Sequence, residues 1–314
     1  MDKFEKNMLE FLRDKYLEQK PGAEFQVSDG ARAYYLEDLK DNLIVPMSDA
    51  VKAQYGAGSG GEIDSGKMNA LRSSSAMTFN LLGNNPAEIN GAKSKENCIG
   101  SGTYDVEFEK QFYTLKTDVS NRPANLDAFL YCADTKEAIA CEMKMMEWLL
   151  NAPGKLKEAY LNPDNYIDSK AGIVFVDVAK KLIDSSVEKK EDGYKCIMKR
   201  YDAFQMFKHT VACYNAAISS AEEKRPFNKL TLVNCVWMPS EDKLPGEKFS
   251  EKYNEKKEQE HKEFEQFKEI MEDVKPLFAD VNVDFEICFY TVDEFLNMLK
   301  KNPEELDALH RYIL

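Results

Sequence analysis

The chain has 314 residues, with 43% hydrophobic and 31% charged side chains, and its 18 Phe and 15 Tyr exclude a disordered protein. Seven scattered cysteines without a C-x-x-C pair, and no apolar run of roughly 18 residues, argue against a disulfide-rich secreted fold, a zinc ribbon and a membrane span, so cytoplasmic localisation is expected. The net charge of −13 argues against non-specific attraction to nucleic acid, and only residues 140–229, with 15 basic and 13 acidic side chains, escape the acidic bias.

The first third of the chain is predicted to be mainly helical, because its apolar residues recur three or four positions apart. Glycines at 56–61 interrupt this pattern, and Gly83 is a residue type that often ends a helix. The predicted segments are an amphipathic helix at 3–17, a glycine-rich loop at 46–66, a buried helix at 68–82 and a polar loop at 84–102.

The middle of the chain is predicted to be a meander of three strands. Tyr104, Val106 and Phe108 alternate with acidic residues, which is typical of a half-buried strand near 103–113. Two further strands are predicted at 125–132 and 137–144, and the four residues between them suit a tight hairpin turn.

The second half of the chain is predicted to alternate between helices and strands. Residues 230–237 are almost continuously apolar, as in a strand that is buried on both faces, whereas residues 164–200 show no clear pattern. The predicted segments are a helix near 154–161, a helix at 201–217, the strand at 230–237, a charged helix at 247–275, a strand at 283–292 and a final helix.

Several familiar motifs are incomplete. The glycines at 56–61 fit G-x-G-x-x-G, but no apolar strand precedes them, and the G-x-x-x-x-G-K sequence at 61–67 is followed by Met68 where Ser or Thr must hold magnesium. His209, His261 and His310 lie far apart in sequence and are expected to be surface or internally satisfied residues rather than metal ligands.

One set of charged residues points to chemistry. Asp127 opens the second strand of the hairpin, and Glu142 and Lys144 lie two residues apart at the end of the third, on one face of the sheet. Two converging carboxylates suit Mg²⁺ or Mn²⁺, and the lysine could orient a water or stabilise charge on a phosphate. The alternative is a cross-strand charge pair on a solvated face, with Asp127 turned to solvent.

The spacing of Asp127 from Glu142-Met143-Lys144 resembles the D…E-x-K core of the PD-(D/E)xK nucleases, the restriction-endonuclease-like superfamily. The resemblance implies an α/β fold with a mixed sheet flanked by helices, in the order helix, three-stranded meander, helix and further strand. Residues 73–83, preceded by Gly60-Gly61-Glu62-Ile63, resemble a poorly characterised bacterial branch of that superfamily. The similar region covers about 56–240 of a single predicted domain, between an N-terminal helical extension at 1–45 and a helix-strand-helix at 241–314.

The resemblance implies roles for individual residues. Asp127 and Glu142 would hold the metal, Lys144 would be the catalytic lysine, and Glu62 would be a third metal ligand. Glu109 is a rival for that third place. Glu147, on the continuation of the E-x-K strand, is a further candidate.

The function expected from this resemblance is Mg²⁺-dependent endonucleolytic hydrolysis of DNA. RNA is a possible substrate as well, and a homodimer would allow both strands of a duplex to be cut. Two alternatives stay open at this point. The fold could serve a non-catalytic module that binds nucleic acid or a partner, or the charged helix at 247–275 could dock a partner while E-x-K is a simple ion pair.

Overall fold

A mixed six-stranded sheet lies at the centre of the protein, whose computed structural model describes residues 3–58, 61–150, 152–220, 225–241, 244 and 246–313. The strands are β1 Ala87–Ile89, β2 Gly102–Phe112, β3 Ala124–Cys132, β4 Glu137–Lys144, β5 Lys229–Val236 and β6 Asp284–Thr291. The helices are α1 Lys3–Gln19, α2 Leu39–Asn42, α3 Asp49–Ala57, α4 Ser74–Leu82, α5 Glu147–Leu150, α6 Ser169–Leu182, α7 Ala203–Ser219, α8 Glu247–Met271, α9 Lys275–Asp280, α10 Val292–Met298 and α11 Pro303–Leu309.

The strands lie in the sheet in the order in which they occur in the chain. β1 to β4 are antiparallel neighbours, whereas β5 runs parallel to β4, and β6 runs parallel to β5. The α/β class and the mixed sheet flanked by helices are therefore confirmed, as are the predicted strands that correspond to β2 to β6. The predicted helices at 3–17 and 201–217 are also confirmed, as α1 and α7.

β4 is a central strand, which explains its near-absence of polar side chains. Every residue from Glu137 to Met143 is buried, because β3 and β5 cover both edges and α4 and α7 pack against the same part of the sheet. The carboxylate of Glu137, at the start of the strand, is satisfied by the Gly100 N–H at 2.8 Å and by Lys229 at 2.9 Å. A buried carboxylate requires such partners.

Two predictions for the segment before the sheet are wrong in detail. Residues 49–57 form α3 rather than a loop, because the Ser48 hydroxyl accepts a hydrogen bond from the Val51 N–H and caps the helix. The buried helix begins at Ser74 rather than at 68, since Ser73 caps its first turn and Ala70 pairs with Tyr35 in an isolated β-bridge. Ser59 and Gly60, part of the glycine cluster, lie outside the described residues.

Other elements were not predicted at all. The supposed polar loop at 84–102 contains β1, and the unassigned stretch at 164–200 contains α6, whose first turn is capped by Asp168. The helix predicted near 154–161 is only a short 3₁₀ turn at Glu158–Leu161. The buried residues Ala171, Phe175, Val178 and Leu182 of α6 recur at helical spacing, so the sequence did carry a signal for this helix.

The two ends of the chain pack onto the sheet layer. Phe4 of α1 stacks on Phe249 of α8 with ring centroids 4.6 Å apart. The Asn80 side chain of α4 donates to the Asn42 carbonyl and to the Tyr312 hydroxyl, both at 2.9 Å. The N-terminal and C-terminal segments therefore hold α4 in place.

Two further features bear on the early expectations. Cys98, in the loop before β2, and Cys288, in β6, are joined by a disulfide, so the cysteines are not all free thiols. Among the described residues, no helix is both long enough and apolar enough to cross a membrane.

Candidate functional site: a cavity lined by carboxylates

A cavity of about 470 Å³ opens beside β3 and β4 and collects the acidic residues singled out in the sequence. We call it the acid cavity. It is lined by the side chains of Glu62, Glu109, Asp127, Glu142 and Glu147. Lys67, Arg72 and the first turn of α4 complete its wall and supply the positive charge.

Three of these carboxylates lie side by side across the meander. Glu109 lies between the paired positions Phe108–Ala128 and Lys110–Leu126 of β2 and β3, so it stands opposite Asp127. The ladder between β3 and β4 ends at Ala128 and Cys141, and Asp127 and Glu142 are the next residues on the two strands.

The side chain of Asp127 bends across to the backbone of β4. Its Oδ2 accepts a hydrogen bond from the Met143 N–H at 2.6 Å. Asp127 is therefore fixed beside Glu142, and only its Oδ2 is engaged by this backbone contact.

Glu109 enters the cavity because its backbone breaks the strand pattern. Its φ of 52° is in the left-handed region, which is uncommon for a glutamate, and the side chain is buried although strict alternation would leave it half exposed. Asn125 donates a hydrogen bond to its Oε2. A Cβ on Gly58 would lie 2.8 Å from the same oxygen, so glycine is needed for this close approach.

Glu142 is held by three side chains, two of them on α7. Its Oε1 lies 2.6 Å from Lys144 Nζ and accepts a hydrogen bond from Gln205 Nε2 at 2.8 Å. Gln205 Oε1 in turn accepts from Lys144 at 2.7 Å. His209 Nε2 lies 2.9 Å from Glu142 Oε2, within ion-pair distance but off the line of a hydrogen bond.

These contacts shift the pKa values of Asp127 and Glu142 in opposite directions. Burial raises the pKa of Asp127 well above its usual value, and the nearby charges of Glu142 and Glu109 raise it further. Burial also favours a raised pKa for Glu142, but Lys144 and His209 outweigh it and lower that pKa to about 2. For Lys144, attraction to Glu142 outweighs burial and raises the pKa, so its ammonium stays charged at neutral pH.

The structure therefore agrees with one part of the ion-pair alternative and disagrees with the rest. Glu142 does pair with Lys144, as that alternative predicts, but Glu142 is only 3% exposed and the pair does not lie on an open face. Asp127 lines the same cavity instead of facing solvent elsewhere.

The sequence analysis did not single out Gln205, and it expected His209 to be a surface or internally satisfied residue. They lie four positions apart on α7, which places them on one side of the helix. His209 is 3% exposed and is not a surface residue. A polar pair at this spacing inside an otherwise apolar helix was the available signal.

Glu62 and Glu147 occupy the rim of the acid cavity. Glu62 pairs with Lys67 at 3.2 Å, and Glu147 Oε2 accepts a hydrogen bond from the Met145 N–H at 2.7 Å. Both have a nearby partner and neither joins the row of three carboxylates across the sheet.

The acid cavity offers carboxylate oxygens that could hold a hard divalent cation together with several waters. Mg²⁺ is usually held by one or two carboxylates with waters and substrate oxygens, rather than by a closed protein cage. Among the described residues, the cavity carboxylates do not form a cluster of three with ligand atoms within 4.8 Å of one another, a condition met by Glu96, Cys98 and Cys288. Asp127, half-buried with a raised pKa, is the group that a cation would most stabilise in its charged form.

A second cavity, of about 250 Å³, lies behind Lys144 and contains another buried acid, Glu260. Glu260 Oε2 has no hydrogen-bond partner among the described residues. Burial, with help from the charge of Glu263, raises the pKa of Glu260 to about 8. Glu260 is therefore mostly neutral at pH 7.

We expect Glu260→Gln to stabilise the protein in alkaline solution. An acid whose pKa is higher in the folded state contributes stability at low pH, and this is lost as the pH rises from about 4.5 to about 8. The variant should raise the free energy of unfolding by up to about 5 kcal/mol at pH 9, since one pKa unit corresponds to about 1.4 kcal/mol, and change it little at pH 4. Urea denaturation at the two pH values measures the difference.

Glu263→Gln is the matched control, because Glu263 accepts hydrogen bonds from the backbone N–H groups of Lys199, Arg200 and Tyr201 at 2.8–3.0 Å. It should lower stability at both pH values, since it weakens charge-assisted bonds. A Glu260→Gln variant that is less stable than wild type at pH 9 would contradict a neutral buried Glu260.

Comparisons of the chain with models of protein families, with curated proteins and with solved structures gave no match.

Proposed function

We propose that the protein hydrolyses phosphodiester bonds in DNA with the help of Mg²⁺ or Mn²⁺. Asp127 and Glu142 carry this proposal, because they lie on adjacent central strands, line one cavity and have Lys144 beside them on the same strand face. This is the side-chain set that the D…E-x-K resemblance requires.

The topology adds support to a restriction-endonuclease-like core. α4, the antiparallel meander β2 to β4, α7 and the parallel strand β5 follow one another in the order expected for that fold. The meander and the parallel strand meet at β4, which carries Glu142 and Lys144.

The two walls of the acid cavity suit the two parts of the reaction. Asp127 and Glu142, with Glu109 next to them, would hold the cation, which when bound polarises the scissile phosphate and activates water. Lys67, Arg72 and the first turn of α4 face the cavity and could bind non-bridging phosphate oxygens. Lys144 lines the second cavity rather than the acid cavity, and it stays protonated in its pair with Glu142. It would therefore hold Glu142 in its charged form, as a positioning residue, rather than accept a proton.

The test is incubation of the purified protein with Mg²⁺ or Mn²⁺ and four substrates: supercoiled plasmid, linear duplex, single-stranded DNA and RNA. We expect metal-dependent cleavage of DNA that EDTA abolishes. Asp105→Asn, at an exposed position of β2, is the control variant and should cut like wild type. If none of the four substrates is cut with either metal, hydrolysis is the wrong function.

One observation favours the non-catalytic alternative. Glu142 is already paired with the Lys144 ammonium at 2.6 Å, so this carboxylate needs no cation to be stable in the fold. A module of this kind would bind nucleic acid or a partner without turnover. Binding of DNA with no cleavage in the same four-substrate assay would select this function.

A further inference from the structure

A groove of about 340 Å³ adjoins the acid cavity and has the opposite charge. We call it the basic groove. It lies between the loop before β3, the segment 155–157 and α7. Asn125 and Gln205 line both the groove and the acid cavity, so the two spaces meet at these side chains.

The basic groove is lined by cations and hydrogen-bonding side chains. Arg122, Lys155, Lys157 and Lys208 contribute positive charge, and none of the described residues that line it is acidic. Lys155 pairs with Asp192, whereas Arg122, Lys157 and Lys208 have no ion-pair partner within 4.0 Å in the described part of the chain. In a chain with a net charge of −13, such a concentration of unpaired cations is unusual.

Lys208 is the half-buried cation of the groove, on α7. Burial is the main cause that lowers its pKa; the charge of Asp202 raises it, that of Lys157 lowers it, and Glu142 and Lys144 have smaller opposite effects. An anion bound in the groove would favour the charged form of Lys208 and offset its repulsion from Lys157. His209 forms the boundary, since it lines the groove and also contacts Glu142.

We infer that the basic groove binds backbone phosphates of the nucleic-acid strand whose scissile phosphodiester enters the acid cavity. This inference rests on the proposed function. Successive phosphates of one strand carry regularly spaced negative charges, and a strand that leaves the acid cavity past Asn125 and Gln205 meets the cations of the groove. The contacts are to phosphate, so they position the strand without reading its sequence.

The first test is binding without turnover. Fluorescence anisotropy with labelled single-stranded DNA and RNA oligonucleotides in EDTA would compare wild type with Lys157→Gln/Lys208→Gln. We expect about tenfold weaker binding in 0.1 M salt and a salt dependence of log Kd that is smaller by about 1.4, the value for two lost phosphate contacts on a single strand. Lys157→Gln alone, at an exposed position, should give about half the change in slope.

The matched control is Lys170→Gln/Lys195→Gln, which removes two exposed lysines of the same chain segment that do not line the groove. It makes the same change in net charge and should bind like wild type. Equal weakening by the control would mean that net charge alone matters, and would overturn the inference. Equally tight binding of a polyglutamate peptide of matched charge would also overturn it, because the groove would then not select phosphate.

The second test separates this inference from the proposed function. Bis(p-nitrophenyl) phosphate contains a single phosphodiester and cannot reach from the acid cavity into the groove. Lys157→Gln/Lys208→Gln should cleave it with wild-type kcat/KM, yet show about a tenfold higher KM for an oligonucleotide. If this double variant had the wild-type KM for the oligonucleotide, phosphate binding in the basic groove would be refuted, whereas the proposed hydrolysis would not be affected. Failure of the wild type to cut either substrate would refute hydrolysis, and the anisotropy result would still decide the groove.

Discussion

Asp127→Asn is expected to abolish hydrolysis while leaving the metal-free protein at least as stable as wild type. Burial and the charges of Glu142 and Glu109 disfavour the ionised Asp127 carboxyl, so a neutral amide relieves repulsion. The amide oxygen can still accept the hydrogen bond from the Met143 N–H. Cleavage rates should fall by at least about 100-fold, because a metal ligand and several kcal/mol of transition-state stabilisation are lost.

Thermal unfolding with and without Mg²⁺ measures the stability part of this prediction. Mg²⁺ should raise the midpoint of wild type and leave that of Asp127→Asn unchanged, since a ligand stabilises only the state that binds it. Asp105→Asn is again the control, and it should respond to Mg²⁺ like wild type. If Asp127→Asn cleaved DNA at the wild-type rate, Asp127 would have no role in the reaction.

Glu142→Ala is expected to destabilise the protein strongly. The substitution leaves the Lys144 ammonium, whose side chain is only 18% exposed, without its anion. Breaking a buried pair by removing one partner typically costs about 3–5 kcal/mol. Urea denaturation at pH 7 measures this loss, and cleavage should be lost as well.

Removal of the second charge should restore much of that stability. In Glu142→Gln/Lys144→Met the amide still accepts the hydrogen bond from Gln205, and no unpaired ammonium remains. This double variant should be more stable than Glu142→Ala but equally inactive. Glu88→Ala is the control, because its pair with Lys300 is exposed and should contribute less than about 1 kcal/mol. A loss below 1 kcal/mol for Glu142→Ala would contradict the buried ion pair.

The sequence predicted those features that depend on local patterns. Alternation and continuous apolar runs located β2 to β6, and the short turn between β3 and β4 was enough to expect Asp127 beside Glu142. Helical spacing located α1 and α7. In these strands and helices, the spacing of the buried residues along the sequence follows directly from the repeat of the backbone.

The sequence could not predict those features that depend on distant partners or on unusual backbone angles. β1 has only three residues, which is too short for a pattern, whereas the helical spacing of α6 was present and was overlooked. Glu109 enters the acid cavity only because of its left-handed backbone, which alternation does not reveal. Gln205 and His209 reach Glu142 across more than sixty residues of intervening chain, so their spacing on α7 does not by itself show which strand they contact.

The long separation between contacting residues has a consequence for synthesis on the ribosome. Gln205 emerges 63 residues after Glu142, and Tyr312 emerges 232 residues after the Asn80 side chain that it holds. The nascent meander can form while the Glu142 carboxylate still lacks its partners from α7, and β4 then presents an unpaired edge until β5 arrives. A growing chain thus passes through an interval in which this strand edge is exposed to other nascent chains, and slow translation between β4 and β5 would lengthen that interval.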